Sequence, residues 1–207
     1  MKLICISDLH GQIKNIDIPD GDVLIIAGDV CKGSTIAELE SLNRYLGSLP
    51  HRHKILIAGN HDFGMEKLGK WAVTKLFTHA HYLEDAGITI EGMHFWGSPW
   101  QPEFFDWAFN LPRGEPLAEK WARIPNHTDV LITHGPPYTI LDTTRQGQPV
   151  GCADLLAAVQ RIKPRLHVFG HIHESYGQQE IDGIRFVNAS ILDVGYKAVN
   201  LPVVIEL

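Results

Sequence analysis

The apolar residues of this chain fall in short, nearly unbroken segments rather than in strict alternation, and the segments end alike. Leu3 to Ile6, Asp22 to Ala27, Lys54 to Ala58, Asp129 to Thr133 and Leu166 to Phe169 read as strands buried on both faces. Each then hands over to side chains that a divalent cation accepts. These are Asp8 and His10, Asp29, Asn60 with His61, His134, and His171 with His173. In open α/β sheets ligands gather beyond the carboxyl ends of strands, so five such ends predict one site.

Between the strands the period changes from continuous to helical. Thr35 with Glu38 three residues on forms a capping box, and Ile36, Leu39, Leu42, Leu46 and Leu49 share one helical face before Pro50 stops it. Further helices are predicted over Met65 to Phe77 and over Cys152 to Lys163. Ile88, Ile90, His94 and Trp96 around Gly92 predict a hairpin, and Ile184 to Ala189 and Pro202 to Leu207 predict further strands. The proline- and aromatic-rich stretch 97–125 reads as a structured loop or cap. No linker divides the 207 residues, so a single domain over 1–207 is expected.

Composition narrows the function. At 44% hydrophobic and 20% charged the chain suits a packed globular domain, and a net charge of -6 with no basic stripe argues against a grip on long nucleic acid. No apolar stretch approaches the ~20 residues that span a bilayer. Three cysteines without a CxxC pair, and a first strand that follows Met1 directly, suggest a cytoplasmic protein with reduced thiols.

The candidate donors Asp8, His10, Asp29, Asn60, His134, His171 and His173 are oxygens and imidazoles with no thiolate among them, a set that suits Mn, Fe or Zn. Seven donors exceed what one such ion takes, whereas two ions sharing a carboxylate would use them all, with Asp29 as the natural bridge. Two cations about 3.5–4 Å apart clamp the attacking and leaving oxygens of an in-line displacement at phosphorus and activate a hydroxide. The predicted chemistry is phosphate-ester hydrolysis.

The ordered series Asp-x-His, Gly-Asp, Gly-Asn-His-Asp, Thr-His-Gly and Gly-His-x-His, over residues 8 to 173, resembles the calcineurin-like metallophosphoesterase superfamily. The longer strings GDVLIIAGD, KILIAGNHD, FNLPRG, VLITHGPP and KPRLHVFGHIHESYG are similar to its metallophosphoesterase-domain-containing subgroup. That resemblance implies an α/β fold, a four-layer αββα sandwich of two mixed β-sheets flanked by helices. It also implies one metal on Asp8, His10, Asp29 and His173, and a second on Asn60, His134 and His171 with Asp29 shared. His61 would donate a proton or hydrogen bond to the leaving oxygen, beside Asn60 at the scissile phosphate. Asp62 would orient His61 or cap the following turn. Phosphodiesters of cyclic or small nucleotides are the implied substrates. A phosphomonoesterase or nucleotide pyrophosphohydrolase is the enzymatic alternative, and an interaction scaffold on the same fold the non-enzymatic one. For substrate contacts the candidates are the segment from Trp100 to Phe109, which would wall the pocket and stack a nucleobase, Tyr138 and Tyr176 as further pocket walls, and Arg113 or Arg145 as a phosphate clamp, with packing over a sheet edge as the competing reading of the aromatic segment.

Overall fold

The computed structural model describes residues 1–207. Its first half builds one sheet, in which β1 (Lys2–Ile6) and β2 (Val23–Ala27) lie parallel. Helix α1 (Ile36–Ser48) carries the chain back to a third parallel strand, β3 (His53–Ile57). Helices α2 (Phe63–Leu68) and α3 (Lys70–Leu76) then lead to the short β4 (His81–Tyr82) at the sheet edge.

The second sheet begins with a hairpin of β5 (Ala86–Ile90) and β6 (Met93–Ser98). Glu91 and Gly92 between them both have positive φ, 49° and 83°, as a two-residue turn matched to strand twist requires. A small ribbon of β7 (Gln101–Pro102) and β8 (Asn110–Leu111) is followed by α4 (Glu115–Ala122). Next come β9 (Val130–Thr133), α5 (Ala153–Ile162), β10 (Leu166–Phe169), β11 (Gly177–Ile181), β12 (Ile184–Asn188) and β13 (Val203–Glu206). The strand orders are β13-β1-β2-β3-β4 and β11-β12-β10-β9-β6-β5, with β13 returning antiparallel to β1.

Alternation along each strand separates the layers. Leu3, Cys5, Val23, Ile25, Ile55 and Ile57 of the first sheet pack on Phe95, Val130, Ile132, Val168 and Val187 of the second. On the opposite face Ile4, Ile6, Leu24, Ile26 and Leu56 meet Leu39, Leu42, Leu46, Met65 and Val73 from the helices. Leu131, Phe169 and Phe186 of the second sheet pack against Leu117, Trp121, Leu155, Val159 and Ile162. Helix, sheet, sheet, helix is the expected αββα sandwich. Burial on both faces explains why the strands read as continuous apolar runs, and each fully buried large side chain contributes about 1.5–3 kcal/mol.

Of three local expectations the structure changes two and keeps one. The helix predicted over Met65 to Phe77 is two helices, because Gly69 takes φ 78° and ψ 154°, outside the helical region. The capping box at Thr35 forms as predicted, with Glu38 N–H donating to Thr35 Oγ1 and Thr35 N–H to Glu38 Oε2. The stretch 97–125 is more regular than its prolines suggest. Pro116 sits in the first turn of α4, where its missing N–H costs nothing, and Leu117 and Trp121 four residues apart bury that helix.

Candidate metal centre

The loops leaving β1, β2, β3, β9 and β10 converge beyond the strand ends. Their backbone is unusual: Asp8, His10, Asp29 and His171 have φ of 55°, 41°, 51° and 69°. Non-glycine residues hold such angles at a cost of about 1–3 kcal/mol each, so the surroundings must over-determine them. They do. Leu9 and His10 N–H both donate to the Asp29 carbonyl at 2.9 Å, and His61 N–H donates to Asp29 Oδ1 at 2.8 Å. Asp8 Oδ2 accepts from His171 N–H at 3.0 Å and from the Ser190 hydroxyl at 2.7 Å.

All seven predicted ligands come together. His173 Nε2 lies 3.3 Å from Asp8 Oδ1, His10 Nε2 3.6 Å from Asp29 Oδ2, and His134 Nε2 3.4 Å from Asp29 Oδ1. Donor atoms of Asp8, His10 and His173 all lie within 4.8 Å of one another, as do those of Asp8, Asp29 and His134. Asn60 Oδ1 stands 2.8 Å from both His134 Nε2 and His171 Nδ1. The far ring nitrogens of two histidines are tied back to backbone carbonyls, His134 Nδ1 to Ala27 at 2.9 Å and His173 Nδ1 to Asp193 at 3.0 Å. Such an outer hydrogen bond is the usual way a metal-binding imidazole is oriented.

Two observations show that this set fits a divalent ion. His10 Nε2 is buried with no hydrogen-bond partner, although it faces the Asp29 carboxylate. A cation between the nitrogen and that oxygen would satisfy both. The glycines ahead of the donors also matter, because a Cβ on Gly59 would collide with the Asp29 carboxylate and His134, and one on Gly170 with Asp8 and Ser7. Only hydrogen at these positions lets the loops approach so closely.

Burial alone would raise the Asp8 carboxyl, but the hydrogen bond and charge of His173, with help from His134 and Ser190, hold it well below the usual carboxylate range. Burial disfavours the charged form of His134 and His173 too, here by opposing the proton, yet Asp29 and Asp8 respectively pull each up to about 9. His61 and His171, desolvated among other imidazoles, are lowered to about 4. His61 is therefore a neutral hydrogen-bond donor in the absence of substrate. Its Nε2 lies 3.9 Å from Asp29 Oδ2, and its ring meets the Trp107 ring edge to face at 3.9 Å between centroids.

Asp62 neither orients His61 nor caps α2. Its buried carboxylate accepts from Gly59 N–H at 2.8 Å, Val30 N–H at 3.2 Å, Cys31 N–H at 3.3 Å and the Ser34 hydroxyl at 2.6 Å. It thereby ties the loop carrying Asp29 to the loop carrying Asn60. Ser190 does the same for Asp8 from beyond β12, a sixth strand end that the sequence offers as Asn188-Ala189-Ser190.

The five candidates Trp100, Arg113, Arg145, Tyr138 and Tyr176 are placed elsewhere, Arg145 donating its backbone N–H to Glu174 Oε1 at 2.9 Å. Trp100 donates to Asp85 at 3.1 Å beneath the Lys120 ammonium, and Arg113 donates to the carbonyls of Val150 and Gly151 at 2.7 and 2.8 Å. Tyr176 donates to Leu201 O at 2.8 Å, and Tyr138 is an exposed ring whose backbone N–H bonds Cys152 O. None of them lines the pocket over the donors. That pocket is walled by Phe104, Trp107, Glu174, Val194 and Tyr196, and continues past His61 to Gln12 and Lys32. Trp107 lies in the aromatic stretch flagged from sequence; Tyr196 follows no motif that would have marked it.

Comparison with known proteins agrees with this geometry. The family model described as calcineurin-like phosphoesterase matches residues 1–175. The human and mouse proteins named Metallophosphoesterase domain-containing protein 1 are each 44% identical over 230 residues, across the whole chain and 71% of each relative. Among solved structures, TT1561 of Thermus thermophilus superposes with a TM-score of 0.61 at 14% identity, covering 90% of this chain and 88% of that one, which speaks for the fold alone. No helix is long and apolar enough to cross a membrane. The chain belongs to the calcineurin-like phosphoesterases, a family of hydrolases that act on small phosphate esters with divalent metal ions.

Proposed function

We propose that this protein is a phosphodiesterase acting on cyclic or small nucleotides through two divalent ions, Mn, Fe or Zn, sharing Asp29. The observation that carries the reading is the convergence of seven oxygen and imidazole donors, among them the unpartnered Nε2 of buried His10. Asp8, His10, Asp29 and His173 would hold one ion, and Asn60, His134, His171 and Asp29 the other. Ions held there supply Lewis-acid charge for the phosphoryl oxygens and a nucleophilic hydroxide near neutral pH.

The chain's own groups do the remainder. Asp62 and Ser190 hold the loops that fix donor spacing. His61, fastened through its N–H to Asp29, presents its imidazole at the pocket to hydrogen-bond the departing oxygen, and a phosphate against the ring raises its proton affinity. A diester suits the pocket because Lys32 is the one ammonium or guanidinium group along its walls, little fixed charge for a dianionic monoester beyond the ions. Metal-stripped protein reconstituted with Mn, Fe or Zn and assayed on cyclic nucleotides, aryl diesters and monoesters tests this. Two bound equivalents and faster diester than monoester turnover are expected; one equivalent, or faster monoester turnover, refutes it.

A further inference from the structure

Tyr196 is the least explained residue near the donors. It has φ 58°, a left-handed backbone that an aromatic residue adopts reluctantly, and the residue is 48% exposed. Yet the turn that carries it is braced on every side. Tyr196 N–H donates to Asp193 O at 2.8 Å, Asp193 Oδ1 accepts from Gly195 and Lys197 N–H at 2.8 and 2.9 Å, and Gln12 Nε2 donates to Tyr196 O at 3.1 Å. The same Asp193 carbonyl accepts from the candidate ligand His173 at 3.0 Å. A strained surface tyrosine held this firmly, with its ring centroid 4.8 Å from that of His10 and 5.8 Å from that of His173, is placed to act on what enters.

What it does follows from the cavities on either side. Tyr196 and His61 line both of two lobes. One, about 200 Å³, is walled by Phe104, Trp107 and Val194, with Glu174 as a second carboxylate beside the candidate ligand Asp29. The other, about 370 Å³, contains Lys32 and no carboxylate, and Lys32 forms no ion pair within the chain. One lobe is thus aromatic and faintly acidic, and the other polar and cationic.

We propose that Tyr196 partitions the pocket into two subsites that sort the arms of an unsymmetrical phosphodiester, a planar aromatic arm lying against Trp107 and Phe104 and a second, negatively charged arm reaching Lys32. This rests on the phosphodiesterase reading and refines it. An open diester with an anionic second arm gains from both lobes, whereas a cyclic nucleotide, whose two ester oxygens return to one sugar, fills the aromatic lobe and leaves Lys32 without a partner. The partition selects substrates; the bond broken is still phosphorus to leaving oxygen, replaced by one from water.

The test compares wild type, Lys32→Ala and Trp107→Leu, all metal-loaded, on 4-nitrophenyl methyl phosphate, 4-nitrophenyl 2-carboxyethyl phosphate and 3′,5′-cyclic AMP. Lys32→Ala is expected to raise KM for the carboxyethyl diester roughly five- to tenfold, an effect that shrinks with added salt, and to leave the other two substrates within about twofold. Trp107→Leu should raise KM for every substrate with a planar arm. Binding is read separately, from the quenching of tryptophan fluorescence by adenosine 5′-monophosphate against ribose 5-phosphate. Quenching by the former that is lost in Trp107→Leu supports the aromatic lobe. If Lys32→Ala alters all three substrates equally, or none, while hydrolysis persists, the partition is wrong and the phosphodiesterase reading stands. If wild type hydrolyses none of them, that reading fails. The fluorescence and a direct titration of Lys32→Ala with the carboxyethyl diester then decide the partition alone, and an unchanged affinity there overturns it.

Discussion

Asp8 and Tyr196 both take a left-handed backbone, at φ 55° and 58°, but what holds them differs. Asp8 has no exposed surface and is gripped through its carboxylate by Ser190 and by the backbone of His171, so its side chain has one position. Tyr196 is hydrogen-bonded through its backbone alone, and its ring, edge-on to His10, borders an open pocket. The donor cluster is fixed atom by atom, while the walls above it are fixed only where the chain turns. A centre that must hold ions at set distances needs the first kind of construction, and a surface that meets varied ester groups tolerates the second.

The donor cluster is most vulnerable at Asp29. Asp29→Ala should strip the centre of metal and lower turnover by well over 100-fold, since residues that merely orient a ligand already cost about 10–100-fold in metal affinity or activity. Metal analysis alongside kinetics checks it; retention of both ions in Asp29→Ala would show that no carboxylate is shared. Next in size is His61→Ala, expected to lower kcat about 10²–10⁴-fold on substrates with poor leaving groups while metal content stays near that of wild type. A variant that keeps full rate on such substrates would remove His61 from the chemistry and leave it as a wall beside Trp107.

Asp62 sharpens the contrast from beneath. Asp62→Ala leaves the Gly59, Val30 and Cys31 N–H groups and the Ser34 hydroxyl without their acceptor in the interior. An unsatisfied buried donor costs about 1–3 kcal/mol, and allowing for relaxation a loss on the order of 3 kcal/mol is expected in denaturant unfolding of the metal-free protein. Metal affinity should weaken as well, because the loops of Asp29 and Asn60 lose their tie. A variant as stable as wild type would mean that the donor cluster is less tightly determined than its hydrogen bonds imply.

How far the two regions could be read from sequence follows the same divide. Asp8, His10, Asp29, Asn60, His134, His171 and His173 lie within a few residues of apolar runs, so strand geometry alone sends them to one end of the sheets. The layering is implied by the family resemblance and not by the pattern, because continuous apolar runs say that the strands are covered on both faces but not that they form two stacked sheets. Tyr196 sits in a turn whose path depends on Asp193 and Gln12, and Lys32 in a loop held through Val30 and Cys31 by Asp62, contacts that no periodicity encodes. Arg113 shows the converse, a residue whose chemistry suggested a phosphate and whose guanidinium instead satisfies two carbonyls of a distant loop. Helix α4 was hidden among the prolines of 97–125, although the position of Pro116 in its first turn is itself a start signal.

The smallest expected effect concerns the frame on which the donors stand. His167 on β10 is fully buried against Phe169 and Phe186, and its Nε2 lies 2.8 Å from Thr133 Oγ1. That hydroxyl gives its one proton to Gly135 O, so Nε2 carries the imidazole hydrogen and Nδ1 is left bare. Desolvation lowers the group to about 3. In the unfolded chain the ring takes a proton near its ordinary value of about 6.5, whereas the folded chain refuses it until about 3. Over that window the unfolded state binds more protons, so this contribution is fully present above about 6.5 and is lost as the pH falls, at up to about 1.4 kcal/mol per unit. His167→Gln keeps a polar partner for Thr133 but does not titrate. Denaturant unfolding of the metal-free proteins at about pH 7.5 and about pH 5.5, on either side of the ordinary histidine value, should therefore show wild type losing more stability than the variant, by the equivalent of up to one proton. Parallel losses would mean that acid loosens the donor cluster directly and leaves the sheets beneath it untouched.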